Sequence, residues 1–226
     1  ERVIGICGKN GAGKTNLLDA IYYMCFTKSY FTRTDGNSEL HGHTGFRLEA
    51  DFALQGKEEK AVCILRETNK KELTINDDAY TKFSQHIGHY PCVIIAPDDV
   101  QLIIGGSEER RKFIDTLLSQ LYPAYLQALI AYQKIHIQRN SLLKAFAENG
   151  GAGDFTLLDV LDGQLAAQGA VIFEKRQHFL LSFLPMAKKM YLQIANTKEE
   201  INLFYESELH SVSFPDLLKY NRQKDC

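Results

Sequence analysis

The chain has 226 residues, 45% of them hydrophobic, and a formal net charge of −2. This size and composition allow a buried core and argue against intrinsic disorder. The near-zero charge excludes an overall cationic field, so nucleic-acid contacts would have to come from a local basic patch or a groove between subunits. No stretch approaches the roughly 18 consecutive apolar residues of a membrane helix, and the five cysteines form no CxxC pair. We therefore expect a cytoplasmic protein without membrane attachment, whose cysteines are reduced and mostly buried.

The N-terminal residues have the pattern of a strand, a glycine-rich loop and a helix. Residues 2–7 form a short apolar run that predicts a strand, and residues 16–26 have apolar side chains at helical spacing. Between them, "GKNGAGKT" fits G-x-x-x-x-G-K-[ST] at every position. The context of strand and helix is the one in which this motif binds nucleotide phosphates. The sequence therefore predicts a P-loop.

The chemistry of a P-loop assigns a role to each of these residues. Glycines let the backbone curl closely, so that successive amides from about Asn10 to Thr15 point at phosphate oxygens at the positive end of a helix. Lys14 is expected to neutralise the β- and γ-phosphates of ATP, and the Thr15 hydroxyl to ligate Mg²⁺. The side chain of Lys9 is expected to be solvated. The predicted nucleotide-binding residues are Gly8, Lys9, Asn10, Gly11, Ala12, Gly13, Lys14, Thr15 and Asn16.

The middle of the chain predicts strands. Residues 46–75 alternate apolar and polar side chains in three runs, which indicates an antiparallel meander. Residues 90–96 are continuously apolar and predict a buried strand beside the first one. Asp98 and Asp99 follow this run. Asp99 is a candidate for the magnesium site, but a capped turn before the next helix explains both carboxylates equally well.

The C-terminal half predicts helices. Ser107 is expected to cap the first, Pro123 to open a second that ends near Ala147, and a third to run from about Thr156 to Phe183 and fold back antiparallel. Pro185 should kink or break this third helix. Residues 199–207 suggest one further strand. The expected domains are an ATP-binding lobe at residues 1–97 and a mainly helical arm at residues 98–226.

Three arginines are candidates for DNA contact. Arg110 and Arg111 form a basic step, and Arg139 lies in the second predicted helix. The favoured interpretation of Arg111 is an ion pair with Asp115, one helical turn away. The favoured interpretation of Arg139 is a solvated residue on a polar helix face. No catalytic residue is assigned.

Two segments resemble the RecF family of DNA recombination and repair ATPases. "GKNGAGKTNLLDAIYYM" is similar to the RecF P-loop and first helix, and the stretch from "YPCVIIAPDDVQLIIGGSEERRKF" to "HIQRNSLLK" is similar to the long segment that follows. The resemblance covers residues 5 to about 184. It implies an α/β fold, with a P-loop lobe of the ABC type that contains an antiparallel β-meander and is followed by a helical arm.

The resemblance also implies a function. RecF proteins bind Mg²⁺-ATP, hydrolyse ATP weakly, form ATP-dependent homodimers on DNA gaps or junctions, and act with RecO and RecR to load RecA in recombinational repair and the SOS response. In the family a glycine-containing signature loop and a Walker B strand follow the arm. This sequence is expected to be a fragment that lacks both, so that it is not hydrolytically competent. Leu118-Ser119-Gln120-Leu121 superficially resembles the signature but is expected to be core. The alternative is a small P-loop kinase or GTPase, although neither an arginine-rich lid nor an Asn-Lys-x-Asp motif is present.

Overall fold

The structure is a computed structural model that describes residues 3–148, 155–195 and 201–225, with side chains as far as residue 222. It divides into two compact units, residues 1–123 and residues 124–226. The first unit therefore extends beyond the boundary at residue 97 that the sequence suggests. The reason is that the helix at residues 107–121 contacts the segment before residue 97, as described below.

The first unit contains a four-stranded antiparallel sheet. Its strands are β1 (Phe46–Leu54), β2 (Lys57–Leu65), β3 (Lys71–Ile75) and β4 (Asp78–Ala79), in the order β1-β2-β3-β4. The register pairs Ala50 with Ala61 and Cys63 with Leu73. Because side chains alternate between the faces of a strand, this register puts the apolar side chains of the alternating sequence on one face. The predicted meander is confirmed.

Helix α1 (Lys14–Phe26) supplies the other half of this core. Its last five residues, Tyr22 to Phe26, are all buried, and they form one cluster with residues of β2 and β3. Each large apolar side chain buried in this way contributes about 1.5–3 kcal/mol relative to exposure. The N-terminal half of α1 stays largely exposed. The helix is therefore held by its C-terminal end and presents its N-terminal end to solvent.

Two of the expected strands are not formed in the described part of the chain. Residues 3–7 and 90–96 pair with no other segment and are not assigned as strands. Val3 and Ile95 are each 87% exposed, and Cys7 is exposed as well, contrary to expectation. An apolar run becomes a strand only where a neighbour completes its hydrogen bonds, and sequence alone does not show this neighbour. The suggested strand at residues 199–207 is also wrong, because residues 201–207 have no regular structure; residues 199 and 200 lie outside the described residues.

Two helices complete the first unit. They are α2 (Gln101–Ile104) and α3 (Ser107–Leu121), and the cap of α3 is Gly106, with Ser107 as the first helical residue rather than the cap. The side-chain oxygen of Gln120 accepts a hydrogen bond of 2.8 Å from the amide of Cys92. Gly88, at φ +88°, lies so close to the Gln120 carbonyl that any side chain there would collide with it. These contacts place α3 in the first unit. Leu118 and Ser119 are buried, as expected for core residues, whereas Leu121 is 56% exposed.

In the described residues of the second unit the main elements are three α-helices, α4 (Pro123–Glu148), α5 (Phe155–Ala195) and α6 (Phe214–Asp225). Helices α4 and α5 are antiparallel, since Phe146 lies beside Phe155 whereas Tyr125, near the start of α4, accepts a hydrogen bond from Arg176. Helix α5 continues through Pro185 to Ala195, so this proline does not break the helix and the predicted end near Phe183 is wrong. None of the helices in the described ranges is long and apolar enough to cross a bilayer.

Candidate nucleotide-binding site

The loop before α1 contains two glycines in the left-handed region of backbone conformation. Gly11 has φ +79° and Gly13 has φ +86°. A residue with a Cβ atom is disfavoured there by roughly 1–2 kcal/mol, so glycine is the suitable residue at both positions. Gly13 immediately precedes the first residue of α1, which is Lys14. The loop therefore ends on the amides of the first helical turn.

The loop presents hydrogen-bond donors to solvent. The amide of Ala12 bonds to the carbonyl of Lys9 (3.3 Å), and the first helical bond runs from the amide of Leu17 to the carbonyl of Gly13 (3.0 Å). The amides of the first turn of a helix have no partner within the helix. No acidic residue lies in that turn of α1, and residues 8–13 and Thr15 are exposed. The local charge is therefore positive and accessible.

The ammonium of Lys14 lies over the loop. Its Nζ atom donates to the carbonyls of Gly8 (2.9 Å) and Lys9 (2.8 Å). The side chain of Lys9 is exposed, and Lys9 contributes to this arrangement through its backbone. Glycine amides, helical amides and one ammonium form a donor set that fits the oxygens of a triphosphate. The exposed Thr15 hydroxyl is of the type that ligates Mg²⁺ in P-loops.

Asp99 forms a capped turn. Its Oδ2 accepts from the amide of Ala96 (2.6 Å), and its own amide donates to the carbonyl of Ala96 (3.0 Å), at the start of a 3₁₀ turn over Pro97–Val100. Its Oδ1 accepts from the hydroxyl of Tyr30. Asp98 is exposed. The structure thus shows the capped turn, and a magnesium role for Asp99 stays a prediction. Among the described residues, no three His, Cys, Asp or Glu side chains form a metal-binding group.

Sequence reasoning missed the residues that connect this turn to α1. Asp19 accepts from the Ser29 hydroxyl (2.6 Å) and from the Tyr30 amide (2.8 Å). Burial, followed by the hydrogen bond to Asp99, raises the pKa of Tyr30 to about 12, so its hydroxyl keeps its proton and donates. The signal in the sequence was Asp19 itself, the acidic residue of "NLLDAIYY", a stretch that resembles the RecF helix. The sequence did not show which residues Asp19 would contact.

The three candidate arginines differ in their surroundings. Arg110 is exposed and donates to the carbonyls of Leu102 (3.2 Å) and Gly105 (3.1 Å), at the end of α2. Arg111 is exposed and donates to the Ser107 hydroxyl (2.8 Å). Both are accessible, and their contact with DNA stays a prediction.

Arg139 requires a correction. The residue is only 4% exposed, and its Nε donates to Asp162 Oδ1 at 2.6 Å inside the second unit. The other oxygen of Asp162 accepts from Arg222 (2.8 Å). A guanidinium that is buried and paired is not available to a phosphate, and the expected solvated face is wrong as well. The helical pattern did not reveal the partner because Asp162 lies on a different helix.

Comparison with known proteins gives the class to which this fold and site belong. Residues 1–206 match a protein-family model described as an AAA domain. The chain therefore belongs to the AAA domain family.

Individual relatives are more specific. The chain is 45% identical over 218 residues to the DNA replication and repair protein RecF of Flavobacterium johnsoniae, and 40% identical over 219 residues to RecF of Phocaeicola vulgatus. Each alignment covers 96% of this chain, and the chain spans 60% and 58% of the length of these curated relatives. The resemblance to RecF is confirmed.

Solved structures agree. The recombination mediator protein RecF-ATP in the RecFOR pathway has a TM-score of 0.84 and 25% identity to this chain, and RecF-ATPrS has a TM-score of 0.84 and 26% identity. These matches cover 98% of this chain and 63% and 62% of those chains. The fold is thus confirmed as a P-loop ATPase lobe with an antiparallel meander, followed by helices.

Proposed function

We propose that this chain is the ATP-binding part of a RecF-type protein of DNA replication and recombinational repair. The donor set of the P-loop is the observation that carries the proposal. Two left-handed glycines curl the loop, and Lys14 lies over it at the start of α1. The RecF relatives make ATP the expected nucleotide, since one of the similar structures is a RecF-ATP complex.

The roles within the site follow from its chemistry. Loop amides and Lys14 bind the phosphates, Thr15 ligates Mg²⁺, and Asp99 or its neighbour Asp98 holds the water shell of the metal. Asn16 and the other residues of the loop complete the nucleotide contacts. The intact protein is proposed to be a weak ATPase. A small P-loop kinase or GTPase is not favoured, because the matching relatives are RecF proteins.

DNA is the proposed macromolecular ligand. An ATP-dependent homodimer would bind single-strand gaps or junctions, and the exposed Arg110 and Arg111 are the candidate contacts to DNA phosphates. RecO and RecR are the proposed protein partners. The proposed location is the cytoplasm, and the proposed role includes the SOS response. The name of the RecFOR pathway supports this group of partners. Fluorescence anisotropy of the intact parent protein with gapped DNA should show tighter binding with ATP than without it. Binding that is indifferent to ATP would contradict this part of the proposal.

Nucleotide binding by the 226-residue chain is tested directly by titration calorimetry with Mg²⁺-ATP. We expect Lys14→Ala to weaken binding about 10- to 100-fold, because hydrogen bonds from a charged group are each worth about 1.5–3 kcal/mol. The matched control is Lys9→Ala, which removes an exposed ammonium from the same loop but keeps the carbonyl. It should change affinity less than about 3-fold. Equal losses in the two variants, or no binding by the wild type, would refute the proposed site.

A further inference from the structure

A chain of hydrogen bonds connects the P-loop helix to the turn that bears Asp98 and Asp99. Asp19, in the second turn of α1, accepts from both the side chain of Ser29 and the backbone amide of Tyr30. The Ser29 hydroxyl in turn accepts from the amides of Phe31 (3.0 Å) and Thr32 (2.9 Å). The segment after α1 is therefore fixed against the side of the helix that begins at the phosphate loop.

Tyr30 extends this connection over a sequence separation of 69 residues. Its hydroxyl donates to Asp99 Oδ1, and Asp99 Oδ2 accepts from the amide of Ala96. Both oxygens of Asp99 are thus held, one by the segment that follows α1 and one by its own turn. The neighbouring carboxylate of Asp98 is exposed.

The position of the Tyr30 ring is itself defined. The ring packs edge-on against Tyr22, at 5.3 Å between centroids, and against Phe31, at 5.1 Å. Tyr22 belongs to the buried core of the first unit. A hydroxyl on a ring that is fixed in this way holds its acceptor with little loss of side-chain entropy when the bond forms. Charge-assisted hydrogen bonds of this kind are also among the stronger ones in proteins.

We infer that Tyr30 is a positioning residue of the nucleotide site, which ties the Asp98-Asp99 turn to the P-loop helix. The inference rests on the proposed binding of Mg²⁺-ATP. Tyr30 does not touch the nucleotide; it fixes the two carboxylates that are candidates for the magnesium water shell. Loss of its hydroxyl should therefore weaken the contribution of Mg²⁺ to ATP affinity more than it weakens the binding of ATP itself.

The test compares ATP affinity with Mg²⁺ and with EDTA, in wild type and in Tyr30→Phe. The phenylalanine keeps the ring and removes only the hydroxyl. We expect the ratio of the two dissociation constants, which measures the gain from Mg²⁺, to fall about 3- to 10-fold. A purely structural role would lower stability and leave this ratio unchanged. Amide exchange of Ala96 should also become faster in the variant.

The matched control is Tyr90→Phe. The Tyr90 hydroxyl donates to Glu59 at 2.8 Å, so this variant also removes a tyrosine-carboxylate hydrogen bond from the first unit, but one that does not involve Asp98 or Asp99. Its Mg²⁺ ratio should equal that of the wild type. If the wild type binds ATP but Tyr30→Phe keeps the full Mg²⁺ ratio, the inference is wrong and the proposed function stands. If the wild type binds no nucleotide, both are overturned.

Discussion

At the scale of single residues, His86 is fully buried beside the C-terminal part of α1, and its surroundings favour the neutral imidazole. Its Nε2 lies 2.7 Å from the carbonyl of Met24, so Nε2 carries the proton and donates, while Nδ1 is buried without a hydrogen-bond partner. A proton added to Nδ1 would put a positive charge there with no acceptor. Burial accordingly lowers the pKa of His86 below its usual 6.5, although the Met24 carbonyl opposes this effect.

A lowered histidine pKa makes stability depend on pH. The unfolded chain binds a proton near pH 6.5 and the folded chain only at lower pH, so the contribution is complete above pH 6.5 and is lost as pH falls through the folded pKa. We predict that His86→Gln, which retains a side-chain donor but does not titrate, has a flatter stability profile from pH 7 downwards. Urea unfolding at a series of pH values measures this. The same slope in both proteins would show that His86 is not responsible.

At the scale of whole elements, Lys71 on strand β3 connects the sheet to the C-terminal end of α1. Its Nζ donates to the carbonyl of Thr27 (2.7 Å), to Asp35 (2.7 Å) and to the hydroxyl of Tyr23 (3.2 Å). The Tyr23 hydroxyl donates in turn to Asp35 at 2.6 Å, and burial together with this bond raises the tyrosine pKa. Sheet, helix and the turn at Asp35 therefore meet at one ammonium.

We predict that Lys71→Met destabilises the protein by about 2 kcal/mol, because a half-buried carboxylate and a backbone carbonyl lose a charged donor. The neighbouring Lys70 provides the matched control. Its side chain is 71% exposed and pairs with Glu72 at 3.2 Å, so Lys70→Met should cost less than about 0.5 kcal/mol. Denaturant midpoints at constant slope give the comparison. Similar midpoints for the two variants would refute a structural role for Lys71.

At the scale of the whole molecule, binding of ATP and hydrolysis of ATP depend on different groups of residues. Phosphoryl transfer needs groups that stabilise the transition state and position water, in addition to the cradle for the phosphates. The P-loop motif lies within residues 8–15, whereas the sequence shows neither the pattern of a signature loop nor that of a Walker B strand. The chain spans 60% or less of the relatives that supply the comparison.

We therefore predict that the 226-residue chain binds ATP but releases phosphate at no more than the background rate. Loss of one stabilising contact commonly lowers a rate by about 100- to 1,000-fold, and two groups of contacts are involved here. A malachite-green assay with saturating Mg²⁺-ATP measures the rate, with Lys14→Ala as the blank. Turnover in the wild type that disappears in Lys14→Ala would contradict the prediction.

The sequence by itself determined the elements whose residues are close together in the chain. Consecutive residues form the P-loop, since the glycines, Lys14 and Thr15 need no distant partner to curl and begin a helix. Strands β1 to β3 are joined by short connections, so alternation and turns together predicted an antiparallel meander. The two-residue strand β4 was not predicted. The starts of the long helices followed from periodicity, within one residue for α5, whereas the end of α5 at Ala195 lies well beyond the predicted end near Phe183.

Only the tertiary structure decided which distant residues meet. Arg139 pairs with Asp162, and the Tyr30 hydroxyl donates to Asp99. Gln120 of α3 accepts a hydrogen bond from the amide of Cys92. The apolar runs at residues 3–7 and 90–96 did not become strands in the described structure. In each case the outcome depends on a hydrogen-bond or packing partner far away in the chain. The local pattern of a segment indicates its preference for helix, strand or turn, whereas the tertiary structure determines which residues it contacts.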